Sequence, residues 1–120
     1  MPNLSKKQRA FAKLMAGFIS ELYRMGYEVT FGDAYRDNET QKRKIASGAS
    51  KTMLSKHCDR LALDLNLWKG GQYTSNPNDY RIPGELWEKM GGSWGGRFGI
   101  KVEEYAAKVG WDSNHFEFLG

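Results

Sequence analysis

The chain contains two histidines, and both stand in patterns able to support chemistry. His57 lies in Ser55-Lys-His57-Cys-Asp-Arg60-Leu-Ala62-Leu-Asp64, and His115 lies in Asp112-Ser-Asn-His115-Phe-Glu117 near the end of the sequence. Two imidazoles and a carboxylate, His57, Asp64 and His115, form a ligand set for Zn²⁺, which in catalytic sites takes three N and O donors and keeps its fourth tetrahedral position open. An ion held in this way acidifies water and polarises a carbonyl, so the chemistry such a set would serve is hydrolysis. Cleaving a peptide bond also needs a base that takes the proton of the attacking water and hands it to the leaving amine. Asp112, a short turn ahead of His115, is the candidate for that role. Arg36 offers a rigid fork of donors for a substrate carboxylate or a developing oxyanion.

The elements that must position these residues follow from periodicity. Ser5 followed by Gln8 has the form of a capping box, and Phe11, Leu14, Met15, Phe18, Ile19 and Leu22 recur at steps of three and four. This predicts an amphipathic helix over about residues 5–25, closed by Gly26 and carrying Lys6, Lys7, Arg9, Lys13, Glu21 and Arg24 on its polar face. The run from Tyr27 to Phe31 alternates and is rich in aromatic and β-branched residues, which predicts a strand running toward Ala34 with Arg36 at its end. Asp37 or Asn38 can cap a second, surface helix over residues 39–46. After a loop from Ala49 to Ser55, Leu61, Leu63, Leu65 and Leu67 alternate with Ala62, Asp64 and Asn66. A strand there puts Asp64 on the face opposite the leucines.

Farther along, Lys69-Gly-Gly-Gln72 reads as a hairpin turn and Tyr73 to Asp79 as polar loop. Short helices are expected over residues 85–90 and 102–109, the second with Tyr105, Ala106 and Val109 inward. Gly91 to Gly96 between them reads as a glycine-rich turn; its spacing is not that of a phosphate loop. His115 and Glu117 then share one face of a last strand, and Phe116 and Phe118 the other. Trp94 and Trp111 either wall a cleft or belong to the core.

Composition bounds the reading. The 120 residues, 40% apolar and 27% charged, describe one folded domain and exclude a disordered chain. A net charge of +4 favours encounter with polyanions such as nucleic acid, anionic lipid or a bacterial cell wall without choosing among them. One cysteine, Cys58, excludes an internal disulfide. The first residues lack the apolar core of a signal peptide and there is no membrane-spanning run, so the expectation is a protein made in the cytoplasm and brought to any outside substrate by another factor.

The motifs Ser55-x-His57-x-x-Arg60-x-Ala62-x-Asp64 and Asp112-x-x-His115 closely resemble the signature of the M15 zinc peptidases of the VanY and VanX type, in particular the phage endolysins that act as L-alanyl-D-glutamate peptidases. Tyr35-Arg36-Asp-Asn-Glu39-Thr-Gln41 and Gly48-Ala-Ser50-Lys-Thr52 resemble the segment ahead of that signature, so the likeness runs over about residues 27–118. The resemblance implies one zinc ion on His57, Asp64 and His115, catalysis by Asp112, and substrate or transition-state stabilisation by Arg36. It also implies a small single α+β domain over residues 1–120, with a central antiparallel sheet flanked by helices and the zinc site at the sheet. The implied substrate is a peptidoglycan stem peptide, cut by a monomer during phage lysis, with no nucleic-acid partner and no stable membrane insertion. Arg60 stands where the family usually has Gly, which bears on the turn between the ligands. Asp112 stands where the carboxypeptidase branch has Glu, which favours the endolysin branch. A D-Ala-D-Ala carboxypeptidase, a metal-dependent nuclease and a catalytically silent zinc-binding phage protein are the alternatives.

Overall fold

The amphipathic stripe near the start of the chain folds as α1, Leu4–Arg24. Its N-cap is Asn3, whose side chain accepts from the Ser5 backbone N–H at 2.8 Å, so the expected Ser5–Gln8 capping box does not form. Asn caps as well as Ser and lies two residues earlier, which starts the helix sooner. Gln8 is released for another use: its side chain donates to the Asp59 carbonyl at 2.9 Å, tying α1 to the turn that carries His57. Gly26, at φ 94, ends the helix in the left-handed conformation that costs glycine least. The computed structural model describes residues 3–35, 37, 39, 43, 46 and 56–120. Arg36, Ser55, the loop 49–55 and most of the helix expected over residues 39–46 lie outside the described residues.

Five antiparallel strands follow among the described residues: β1 (Tyr27–Phe31), β2 (Ala62–Lys69), β3 (Gln72–Thr74), β4 (Ser93–Trp94) and β5 (His115–Glu117). β2 is the hub, pairing with β1, β3 and β5, while β4 extends the sheet beyond β5. The alternation in β2 does what its pattern predicts. Leu61, Leu63, Leu65 and Leu67 are all buried, whereas Asp64 and Asn66 are only partly so. Gly70 and Gly71, at φ 59 and 78, make the tight turn into β3, a conformation whose twist matches that of the strands.

The leucine face packs against α1 and a later helix, α2 (Arg81–Lys89). Phe18 sits at the centre of this core, its ring centroid 5.0 Å from that of Trp87 and 5.1 Å from that of Phe116. α2 starts four residues earlier than expected. Pro83 is tolerated in the first turn because the N–H groups there have no partner within the helix.

Three local expectations are corrected. Gln72–Thr74 pairs with Leu67–Lys69 as a short strand instead of loop, because a tight turn brings the return chain within ladder distance. The glycine-rich stretch contains β4, Ser93–Trp94, paired with Phe116 and Glu117 of β5. The helix expected over residues 102–109 is only a 3-10 turn, Val102–Glu104, followed by further turns. Val102 and Ala106 are exposed, so two helical turns there would bury too little to offset the cost of nucleation.

Phe18→Ala removes the centre of the core and should cost about 3–5 kcal/mol, whereas Val102→Ala at an exposed position should stay within about 0.5 kcal/mol. Urea unfolding midpoints of the two variants measure the difference, and similar values would mean that the core does not lie between α1 and the leucine face.

Candidate metal centre

The register between β2 and β5 places Asp64 directly opposite His115 and Leu63 directly opposite Phe116. Directly opposed residues project to the same face of a sheet, so one pair supplies the site and the next supplies the core. His57 reaches the same face from the turn ahead of β2. There Leu61 N–H donates to the Lys56 carbonyl at 2.9 Å and Arg60 N–H to the His57 carbonyl at 3.2 Å, folding the chain back over Asp64. Closing this turn needs a left-handed residue, and Arg60 supplies it at φ 58. The arginine therefore adopts the conformation a glycine would, and its guanidinium lies 4.1 Å from the centroid of the Tyr35 ring, a cation–π contact that offsets part of the strain. The departure at Arg60 leaves the turn between the two proposed ligands in place.

His57 Nε2, Asp64 Oδ1 and His115 Nδ1 converge. The separations are 3.0 Å from His57 to Asp64, 3.1 Å from His57 to His115 and 3.3 Å from His115 to Asp64. Donor atoms about 2.0–2.1 Å from a tetrahedral zinc ion stand about 3.3 Å from one another, so this triangle is one face of such a tetrahedron with little adjustment. Both imidazoles are buried, at 1% and 5% exposure. Among the described residues these three form the group that could hold a metal ion, and Cys58, next to His57, is not part of it.

The electrostatics fit a cation. Burial by itself would raise the Asp64 carboxyl, but the hydrogen bonds from the His115 and His57 rings overcome it and hold the group at about 2. Burial by itself would also strip the His115 ring of its proton. Its bonds to Asp64 and Glu117, with the charge of Asp112 nearby, instead push it up to about 9. The pocket thus demands positive charge at His115.

Asp112 approaches this group from the turn ahead of β5, its Oδ2 3.8 Å from His115 Nδ1, and at 24% side-chain exposure it is the most accessible of the four. Arg36 lies outside the described residues, so its expected place at the site rests on the sequence alone. Glu117 and Gly95, which sequence reasoning gave no role here, prove to build the site, and so does Trp94, which it left as either cleft wall or core. Glu117 receives the far nitrogen of His115, Nε2, at 2.7 Å. Trp94, fully buried, belongs to the core and donates from Nε1 to the Ser113 carbonyl at 2.6 Å, fixing the Asp112–His115 turn. Trp111 is the opposite case, 57% exposed. Gly95 lies against that same turn, where a Cβ would fall 2.1 Å from the Asp112 carbonyl oxygen and 2.8 Å from His115 Cβ. For Glu117 the signal was its shared strand face with His115; for Gly95 and Trp94 no local signal existed.

Sheet and helices together adopt a fold already known among peptidases, as the motifs implied. Two solved structures show it. One is the L-Ala D-Glu endopeptidase ChiX of Serratia marcescens, with a TM-score of 0.64 and 19% identity over 89% of this chain and 78% of that one. The other is the vancomycin-resistance D,D-pentapeptidase VanY from a VanB-type cassette, a point mutant in complex with Zn(II), with a TM-score of 0.63 and 19% identity over 92% of this chain and 71% of that one. No protein-family model and no curated protein matches the sequence.

Two outcomes follow from this geometry. Gly95→Ala forces backbone against backbone, so it should cost about 1–3 kcal/mol and weaken zinc binding together with stability. Unchanged thermal melting and zinc affinity would show that the close approach is unimportant. The second outcome concerns pH. His115, raised from 6.5 to about 9, stabilises the metal-free protein fully below about pH 6.5, and that contribution fades as pH rises through about 9. Asp64, lowered from 3.8 to about 2, stabilises it above about pH 4, and that contribution is lost as pH falls through about 2. Zinc must displace the His115 proton, so its affinity should rise about tenfold per pH unit between 7 and 9 and then level off. Competition titrations against a chelator across that range measure the slope, and a flat line would contradict the protonation of His115.

Proposed function

We propose that this protein is a zinc-dependent peptidoglycan peptidase of the L-alanyl-D-glutamate endopeptidase type, acting as a phage endolysin in cell lysis. The observation that supports it most is the donor triangle of His57, Asp64 and His115, with edges of 3.0, 3.1 and 3.3 Å, on a fold shared with an L-Ala D-Glu endopeptidase and a D,D-pentapeptidase. When bound there, zinc polarises the scissile carbonyl and lowers the pKa of water. The chain's own residues do the rest. His57 and His115 present neutral nitrogens, Asp64 supplies the negative charge, the sheet holds Asp64 opposite His115, and the turn ahead of β2 brings His57 to them.

Asp112 is proposed to act as the base. Its carboxylate stands beside the donor triangle and not within it, 3.8 Å from His115 Nδ1 and partly exposed, which suits a group that takes a proton from the attacking water and returns it to the leaving amine. Arg36 is proposed to bind the substrate carboxylate or the oxyanion. The excess of basic residues favours encounter with the anionic cell wall, which the enzyme reaches from the host cytoplasm by release or by delivery through another factor. It works as a monomer and without nucleic acid. Among the described residues no helix is long and apolar enough to cross a membrane. A D-Ala-D-Ala carboxypeptidase is the second reading, favoured by the equally good likeness to VanY.

Digestion of purified murein, with and without chelator, followed by mass spectrometry of the products, tests the proposal. Chelator-sensitive fragments with a newly exposed glutamate amine support the endopeptidase, released D-alanine supports the carboxypeptidase, and intact murein in the presence of zinc rejects both. Asp112→Ala should bind zinc normally and lose at least about 10²-fold in kcat. A normal rate would remove it as the base.

A further inference from the structure

We infer that Glu117 is a positioning residue of the metal centre: it accepts the Nε2–H of His115 and so fixes the tautomer whose Nδ1 lone pair faces Asp64 and His57. The inference rests on the zinc-site reading above and goes beyond it by assigning the group that aims one of the proposed ligands.

A neutral imidazole carries one N–H and one lone pair, and the hydrogen bond made by one nitrogen decides what the other can do. His115 turns Nδ1 toward the other two donors, 3.1 Å from His57 Nε2 and 3.3 Å from Asp64 Oδ1. Its Nε2 lies 2.7 Å from Glu117 Oε1. An ionised carboxylate can only accept, so Nε2 keeps its hydrogen, and once the ring gives up its second proton Nδ1 is the nitrogen whose lone pair is left for a metal.

Glu117 is itself held on several sides. It lies two residues after His115 on the same face of β5, between Ala62 of β2 and Ser93 of β4. Its backbone carbonyl accepts from Trp87 Nε1 at 3.0 Å, and its side chain is only 17% exposed. The Lys56 ammonium stands 4.0 Å from Oε2 and donates to the Phe118 carbonyl at 2.7 Å. A plain surface ion pair with Lys56 is the ordinary use of such a glutamate, but here the lysine contact is long and the imidazole contact short. Lys56 immediately precedes His57, so the same carboxylate lies where the segments carrying the two histidines meet.

The experiment compares zinc affinity, by competition with a chelator, in the wild type, Glu117→Gln, Glu117→Ala and His115→Ala, with thermal melting of each metal-free protein as a check on folding. Nitrogen NMR of the His115 ring in the zinc-loaded wild type reads which nitrogen carries hydrogen. The expected result is a proton on Nε2, a loss of affinity of about 10–100-fold in Glu117→Ala, and a smaller loss in Glu117→Gln, whose amide oxygen still accepts. Should the alanine variant fail to fold, the glutamine variant alone decides, with an expected loss of about 3–10-fold. Affinity within twofold of wild type in the decisive variant, or a proton on Nδ1, overturns the role of Glu117 while leaving the zinc site standing. A wild type that binds zinc no better than His115→Ala overturns both.

Discussion

The antiparallel pairing of Asp64 with His115 is the constraint on which the rest of this structure depends. It joins residues far apart in the chain into a cross-strand pair, and the neighbouring pair, Leu63 with Phe116, anchors the same two strands in the core. A slip of one residue would exchange the faces, putting the carboxylate and imidazole among leucines and the phenylalanine at the surface. The core therefore helps to specify the site's geometry, because a one-residue slip cannot keep the apolar residues buried.

That pairing also concentrates negative charge. Asp64, Asp112 and Glu117 all lie around the His115 ring, most of it away from water. Buried carboxylates are tolerated only when something positive balances them, and here a proton on His115 or a metal cation at the donor triangle can serve. The two compete for the same nitrogen, and this links metal binding to proton release.

Around the centre, space is given up so that backbones can meet. Gly95 lets the turn of Asp112 approach, Trp94 fastens that turn through Ser113, and Gly32 lies against Asp64, where a Cβ would come within 3.0 Å of the Asp64 Cβ. The Gly32 N–H donates to the Asp64 carbonyl at 2.8 Å, and the Asp64 N–H to the Asp33 carbonyl at 2.9 Å. At Arg60 the same economy runs the other way, a bulky side chain taking a left-handed backbone and laying its charge on Tyr35.

The sequence alone determined the long helix, the leucine strand with Asp64 on its far face, the three residues that converge and the family their spacing resembles. Each of these is written in local periodicity or in motif, where the residue types and their intervals carry the information. It did not determine Asn3 as the cap, β3 and β4, the failure of the helix over residues 102–109, or the parts played by Glu117, Gly95 and Trp94. Those were settled by tertiary structure, since strand partners, close backbone contacts and the hydrogen bond that orients a ring exist only between segments brought together by folding. Two histidines and an aspartate name a metal, but only the sheet and the turn ahead of β2 set them 3.0–3.3 Å apart.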